Sequence, residues 1–315
     1  MLGCAGSSSF VTPQVTPTSE LLVISIIDRD YLERLSNRIP GTATPVSTEA
    51  FEPLSMALSG DDALVIADPA GGRLWSLAGP GGGDGRLRPL LAAGITPHPP
   101  GFVRMDRLGN VFVTGVETGA VTICDPRLHP VGSIAAPYGA LGLVIGRPVG
   151  IAFGLQGECY VSDQTNALVH HFDAAGGFVA SFGGPDAGWG RVLRPEGLDC
   201  SPDGNEIYVC DPGTRRVLVY DPAGVPLREI GGTDLIEPRS VAVDRRGQCF
   251  VADPGAKAVM VFAANGRWIR TLTGLPPAIE RFSAPCDVAV VDSVIWIADA
   301  SAGKIVAVTL RPPHP

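Results

Sequence analysis

Hydrophobic residues along this chain fall in short runs of four to seven positions, separated by clusters of Gly, Pro, Asp and Asn. Runs of this length that are rich in β-branched and aromatic residues predict β-strands, and the residues between them predict turns. Four such runs recur in a fixed order. The first run of each set follows a proline, and an apolar residue comes three positions after it. The prolines are residues 53, 100, 148, 195, 238 and 285, which gives six copies of a unit of about 46 residues.

The second run is the most regular, because five of its six copies end in aspartate and the third run begins five residues later in every copy. A constant offset predicts one turn geometry used six times, in which the carboxylate accepts backbone N–H groups. Recurring carboxylates also suggest a metal site, but a residue that holds the same place in every unit favours a structural role. The residues that close the second run are Asp68, Gly115, Asp163, Asp211, Asp253 and Asp299.

Five of the six units contain a fourth run, and the sixth unit ends without one. Four antiparallel strands per unit predict an all-β, six-bladed β-propeller of four-stranded antiparallel blades, and a solenoid is the alternative. A propeller joins its chain ends within one blade, so we expect the last blade to be closed by an N-terminal strand. We predict Tyr31–Ser36 as that fourth strand and Leu22–Ile27 as a fifth strand at the rim.

This pattern divides the chain into four parts. Residues 1–19 are rich in Ser, Thr and Pro and predict a flexible tether. Residues 20–49 hold the N-terminal closing strands and a linker. The six-bladed propeller is expected over residues 50–310, and residues 311–315 form a tail.

Several segments resemble the NHL repeat, a β-propeller family: Pro148-Val-Gly-Ile-Ala, Tyr160-Val-Ser-Asp and Arg216-Val-Leu-Val-Tyr-Asp. The resemblance covers about residues 50 to 310 and is strongest from Arg147 to Gly274, whereas the units that begin at residues 53 and 100 are degenerate. NHL-like propellers include non-catalytic protein-binding or RNA-binding modules, peptidyl-amidoglycolate lyases and streptogramin lyases. More distantly, they include gluconolactonase-type hydrolases. The resemblance therefore implies the fold and leaves the function open.

Histidine and cysteine provide little support for a catalytic site. A lyase site of the kind found in this family needs histidines that converge on the central channel, but His170 and His171 are adjacent in one predicted strand and must point to opposite faces. Of the others, only His98 lies near the entrance of a repeat. Seven cysteines form no C-x-x-C pair, so we expect buried free thiols and neither a zinc site nor another cofactor.

Charge and hydropathy narrow the classes of partner. Lys and Arg number 24 against 32 Asp and Glu, a net charge of −8, which supplies no evident basic face for a nucleic acid. No apolar run approaches the roughly 18 to 20 residues that cross a bilayer as a helix, so we predict no transmembrane helix.

Charged residues concentrate at the start of the later repeats, although they are scarce elsewhere. Directly beside the repeat prolines lie Arg147, Arg194, Glu196, Glu237 and Arg239, and Asp287 follows one residue further on. Successive blades of a propeller would bring these residues to one face. Three interpretations remain open: a solvated rim of salt bridges, a surface that binds a ligand or a protein partner, or carboxylates around a divalent cation at the channel mouth.

The first residues carry a separate signal. Met1-Leu-Gly-Cys4 followed by Ala-Gly-Ser-Ser-Ser resembles the cleavage end of a bacterial lipoprotein signal, in which Cys4 is the lipidated residue. No positive region or apolar core precedes Cys4 in this sequence. Either the start codon is placed too late, or the resemblance is a coincidence. The first case predicts the bacterial periplasm or cell envelope with a lipid anchor at Cys4, and the alternative is the cytoplasm.

We interpret the chain as a non-catalytic NHL-type propeller that acts as a protein-binding or scaffold module. Its partner surface is expected at the charged repeat entrances, because no constellation of His, Ser or Cys emerges from the six aligned repeats. The alternative is a metal-dependent hydrolase or lyase whose site lies at the mouth of the central channel.

Overall fold

The computed structural model describes residues 21–30, 51–58, 64–77, 87–90, 100–135, 145–275 and 280–310. These residues form six antiparallel sheets of four strands each and one short two-stranded ribbon. The predicted tether, residues 1–19, and the predicted tail, residues 311–315, lie outside the described ranges. No helix in the described part of the chain is long and apolar enough to cross a membrane.

Each four-stranded sheet is one blade, and in blades 1 to 5 the strands follow one another along the chain. Blade 1 contains β2 (Ser55–Leu58), β3 (Leu64–Asp68), β4 (Arg73–Leu77) and β5 (Leu87–Leu90). Blade 2 contains β6 (Val103–Met105), β7 (Val111–Gly115), β8 (Ala120–Cys124) and β9 (Pro130–Ala135). Blade 3 contains β10 (Pro148–Phe153), β11 (Cys159–Asp163), β12 (Leu168–Phe172) and β13 (Phe178–Phe182).

Blade 4 contains β14 (Leu198–Cys200), β15 (Ile207–Asp211), β16 (Arg216–Tyr220) and β17 (Pro226–Ile230). Blade 5 contains β18 (Ser240–Val243), β19 (Cys249–Asp253), β20 (Ala258–Phe262) and β21 (Trp268–Leu272). The ribbon β22 (Gly274–Leu275) and β23 (Glu280–Arg281) leads to blade 6, which contains β24 (Pro285–Val291), β25 (Val294–Asp299), β26 (Lys304–Leu310) and the N-terminal β1 (Leu21–Asp28).

The first strands of the six blades form a closed ring. Each of β2, β6, β10, β14, β18 and β24 contacts the first strand of the next blade, and β24 contacts β2. These strands therefore line the central channel. We call the end of the propeller where they begin, next to the repeat prolines, the entry face, and the end where they finish the exit face.

Among the described residues, the hydrophobic core is divided into six clusters, each between two neighbouring blades. The second strand of a blade is buried on both sides, which explains its continuous apolar sequence. In β15, Ile207 and Val209 pack against blade 3, whereas Tyr208 and Cys210 pack against blade 5. Because successive side chains of a strand point to opposite faces, β15 contributes residues to two clusters.

An N-terminal strand closes the last blade, as the sequence predicts, but the predicted segment was wrong. β1 pairs directly with β26, with Ile27 opposite Ile305, and so fills the fourth position of blade 6. The sequence pattern predicts Tyr31–Ser36 for that position, a segment outside the described residues, and Leu22–Ile27 as a fifth strand. Ile27 gives the physical reason, because it is buried in the cluster between blades 6 and 1 together with Phe51 and Met56.

Candidate functional site

The turn aspartates hold the entry-face loops in place. In blade 4, Asp211 accepts hydrogen bonds from the backbone N–H groups of Leu193 and Arg194, both at 2.8 Å. In blade 5, Asp253 accepts from Ile236 at 2.7 Å and from Glu237 at 2.9 Å. The same contact recurs at Asp68, Asp163 and Asp299. All five carboxylates are buried, which confirms their predicted structural role.

Four of the predicted rim residues form one ionic network across blades 4 and 5. Arg194 Nε lies 3.7 Å from Glu196 Oε1, and Arg239 Nε lies 3.6 Å from Glu196 Oε2. A third pair joins Arg194 Nη2 to Glu237 Oε1 at 3.4 Å. We call Arg194, Glu196, Glu237 and Arg239 the rim network. It confirms that residues on successive repeats meet on one face.

Glu196 is the most enclosed member of this network, with 14% of its side chain exposed. Burial raises the pKa of Glu196, and the opposing effect of the Arg239 and Arg194 charges does not cancel that of burial. Gln164 Nε2 also donates to Glu196 Oε1 at 3.2 Å, which ties blade 3 to the network. Arg147 is exposed on the same face, and its backbone N–H is bound to Asp163 at 3.0 Å.

Asp287 does not belong to this surface, which corrects the sequence prediction. Its side chain is buried in the channel, where its oxygens bind both Arg104 Nη1 and Nη2 at 3.0 Å. The backbone N–H of Met56 and the hydroxyl of Ser55 donate to Asp287 Oδ2 at 2.8 Å each, and the hydroxyl of Ser240 donates to Oδ1. Asp287 sits one residue further into its strand than Glu196 and Arg239, so its side chain points to the other side of the strand.

Arg104 was missed by the sequence analysis, although a signal exists. The fourth position after the repeat proline holds alanine in four of the six units. The other two units have Arg104 and Asp199 there. Because first strands line the channel, aligning this position across the repeats would have identified both residues as channel-facing charges.

Arg104 and Asp199 line the exit-face half of the channel. They border a cavity of about 150 Å³ and a larger one of about 620 Å³, and the two cavities share the walls of Leu58 and Met105. Asp199 Oδ2 accepts the N–H of Val243 at 2.8 Å. Burial raises the pKa of Asp199 to about 6.

The described histidines have packing or surface roles. His170 is buried between Asp163 Oδ2, at 3.2 Å from Nε2, and Ser181 Oγ, at 2.8 Å from Nδ1. His171 stacks on Tyr160, and His129 contacts Asp125 at the surface. Within the described ranges, no group of three or more His, Cys, Asp or Glu residues is arranged to hold a metal ion. His98 and His314 lie outside them.

The six cysteines that the structure describes are buried and free, as predicted. Burial raises the pKa of the Cys124 thiol to about 11 and that of the Cys159 thiol to about 12. A thiol with such a pKa is a poor nucleophile near neutral pH. Cys4 lies outside the described residues, so its lipidation stays a prediction.

Comparisons with known proteins agree with this fold. No family model matches the chain. Over 133 residues, or 41% of this chain, it is 29% identical to Protein brain tumor of Drosophila melanogaster, and this stretch spans 13% of that protein. The match covers less than half of this chain and only a small part of that protein.

Solved structures resemble the whole propeller. Virginiamycin B lyase from Staphylococcus aureus is similar with a TM-score of 0.63 at 13% identity, over 92% of this chain and 100% of that one. A gluconolactonase from Xanthomonas campestris is similar with a TM-score of 0.61 at 17% identity, over 83% of this chain and 86% of that one. At these identities the likeness establishes a shared six-bladed β-propeller fold.

Proposed function

We propose that this propeller is a non-catalytic protein-binding or scaffold module whose partner docks on the entry face of blades 4 and 5. The observation that carries the proposal is a pair of exposed apolar side chains beside the rim network. Leu193 is 46% exposed and Ile236 is 52% exposed. They directly precede Arg194 and Glu237, whose side chains contact each other.

These apolar side chains are presented by fixed backbone. Asp211 binds the N–H of Leu193, and Asp253 binds the N–H of Ile236, through buried carboxylates. Exposed apolar residues on loops that a rigid scaffold holds in place are suited to recognition, because little conformational entropy is lost on binding. Trp189, which is 52% exposed, adds an aromatic side chain from the connection that precedes Leu193.

The rim network supplies the charged groups that a protein interface has around its apolar residues. A protein interface commonly has apolar anchors surrounded by polar and charged groups that exclude water and fix orientation. Here Arg194, Glu196, Glu237 and Arg239 occupy that position. A partner segment with apolar side chains and charges of both signs fits this surface, whereas a phosphate backbone does not fit a protein of net charge −8.

The location of the module is part of the proposal. Because of the motif around Cys4, we place it in the bacterial periplasm or cell envelope, anchored by a lipid on Cys4. Measuring the intact mass of the protein isolated from its host tests this. An intact mass that exceeds the sequence mass by that of acyl groups, and that returns to the sequence mass in Cys4→Ser, supports anchoring. An unmodified Cys4 contradicts it.

The binding test compares two double charge reversals. Arg194→Glu with Arg239→Glu changes the rim network. Arg127→Glu with Arg246→Glu makes the same charge change at exposed positions on turns of the exit face. Partners captured from the native host by the wild-type protein, and then purified, should bind the rim variant at least tenfold more weakly and the control variant unchanged.

A third variant separates charge from apolar contact. Ile236→Asp should weaken binding of the same purified partner without shifting the melting temperature, because Ile236 is exposed in the free protein. Equal affinity of all variants would contradict the proposed surface. Metal-dependent hydrolysis of a lactone or ester by the purified protein would replace the proposal with the enzyme alternative.

A further inference from the structure

Asp199 is a channel carboxylate that makes no direct ion pair within the described part of the chain. It lies on β14, at the repeat position where four of the other five units have alanine. Its Oδ2 accepts the backbone N–H of Val243 at 2.8 Å, and its Oδ1 accepts the N–H of Cys200 at 2.9 Å. Each carboxylate oxygen can accept about two hydrogen bonds, so acceptor capacity remains on both.

The positive charge beside Asp199 in the channel, that of Arg104, is already paired with another carboxylate. Arg104 binds Asp287 through both terminal nitrogens at 3.0 Å. Among the residues that the structure describes, no cationic side chain forms an ion pair with Asp199. The Arg104 charge lowers the pKa of Asp199, and the Asp287 charge raises it. One positive and two negative charges thus share this part of the channel. A partly buried charge without a counterion is unfavourable, and a bound cation would relieve that cost.

The space beside Asp199 is small, and most of the residues that line it are apolar. A cavity of about 150 Å³ is lined by the two charged residues Arg104 and Asp199 and by apolar residues that include Leu58, Met105 and Val290, and it opens toward the exit face beside the 620 Å³ cavity. Hard metal ions take six or more oxygen ligands, which these walls do not supply. An anion would meet the Asp199 carboxylate, and the Arg104 guanidinium that also borders the cavity is already paired with Asp287. A small molecule with an apolar chain and a single ammonium group matches both the negative charge of Asp199 and the apolar residues that line the cavity.

We propose that the exit-face half of the channel binds a small organic cation, a primary alkylammonium, whose N–H groups donate to the Asp199 carboxylate while its alkyl chain packs on Leu58, Met105 and Val290. This site is separate from the rim network, which lies on the entry face.

The proton affinities of the two partners set a pH window for this site. Burial raises the pKa of Asp199 to about 6, and the ammonium of an alkylamine, like that of lysine, has a pKa near 10.4. Both groups are charged between these values. The ionised fraction of Asp199 falls about tenfold between pH 7.5 and pH 5, so affinity for the cation falls about tenfold over that range.

Isothermal titration calorimetry with the full chain tests the proposal. The probe is n-butylammonium chloride, with n-butanol as its neutral analogue and sodium n-butyrate as its anionic analogue. We expect the cation to bind at pH 7.5, about tenfold more weakly at pH 5, and at least tenfold more tightly than either analogue. Asp199→Asn should abolish this preference, whereas Asp186→Asn, which removes the same charge from an exposed position, should leave it unchanged.

Four results would overturn the site: no detectable binding of the cation at millimolar concentration, equal binding by n-butanol, tighter binding of n-butyrate, or unchanged binding by folded Asp199→Asn. If Asp199→Asn does not fold, the comparison of pH 5 with pH 7.5 in the wild-type protein decides alone. Affinity that does not change between these pH values then contradicts a role for Asp199.

Discussion

Arg104 of blade 2 and Asp287 of blade 6 bind each other through two contacts of 3.0 Å, Nη1 to Oδ2 and Nη2 to Oδ1, although 183 positions separate them in the chain. Ser55 of blade 1 lies between them and binds both. The pair therefore links the second blade to the last blade across the first one. It connects the two sides of the point at which the ring closes.

Removing one member of this pair should destabilise the closed ring. Asp287→Ala leaves the Arg104 guanidinium partly buried without its counterion and leaves Ser55, Ser240 and the Met56 N–H without their acceptor. We expect a loss of about 3–5 kcal/mol in the free energy of unfolding, measured by urea denaturation. The double variant Arg104→Met with Asp287→Leu should lose less than Asp287→Ala. A double variant as unstable as the sum of its single substitutions would show that the two residues act independently.

The turn aspartates give a second prediction. Asp211→Ala removes the acceptor for the N–H groups of Leu193, Arg194 and Gly213, and we expect a loss of about 1–3 kcal/mol in unfolding free energy. Asp186→Ala is the matched control, because Asp186 is exposed, and it should stay within about 0.5 kcal/mol of the wild-type protein. A similar stability for the two variants would contradict the structural role of Asp211.

Acid stability should depend on Asp163. Burial by itself would raise its pKa, but hydrogen bonds from His170 and from the N–H groups of Gly146 and Arg147 outweigh burial and hold the pKa well below its ordinary value. A carboxylate whose pKa is depressed in the folded state contributes stability above its unfolded pKa of about 3.9, and that contribution is lost as the pH falls below it.

The unfolding free energy of the wild-type protein should therefore drop between about pH 5 and pH 2, and the drop should be shallower in Asp163→Asn. Urea titrations at several pH values measure the slope. A variant with the wild-type slope would assign the acid sensitivity to other carboxylates.

Removing β1 should expose an edge. Deletion of residues 1–28 leaves the backbone of β26 without its partner over Lys304–Leu310 and uncovers the cluster that contains Ile27. Unpaired edge strands promote association with other chains, so we expect a lower melting temperature and concentration-dependent aggregation by light scattering. Deletion of residues 1–19, which ends before β1, should change neither quantity. Identical behaviour of both deletions would contradict the closure by β1.

The repeating pattern determined the architecture from sequence alone. Prolines at a period of about 46 residues, and a constant offset of five from each Asp position to the next run, predict six blades because strand and turn signals are local along the chain. The role of Asp211 and Asp253 as turn acceptors followed from the same regularity, since a structural contact repeats wherever its residue repeats. The rim network was also predictable, because its residues lie beside the same proline in successive units.

Only the tertiary structure decided which residues meet in the channel and which strand closes the ring. Asp287 lies one position away from the rim residues in the repeat, and that single step turns its side chain inward toward Arg104. Arg104, Asp199 and Asp287 come from blades 2, 4 and 6, and their proximity depends on the closed ring of first strands rather than on spacing along the chain. The choice of Leu21–Asp28 over Tyr31–Ser36 likewise depends on burial of Ile27 against blade 1, a contact between residues far apart in sequence.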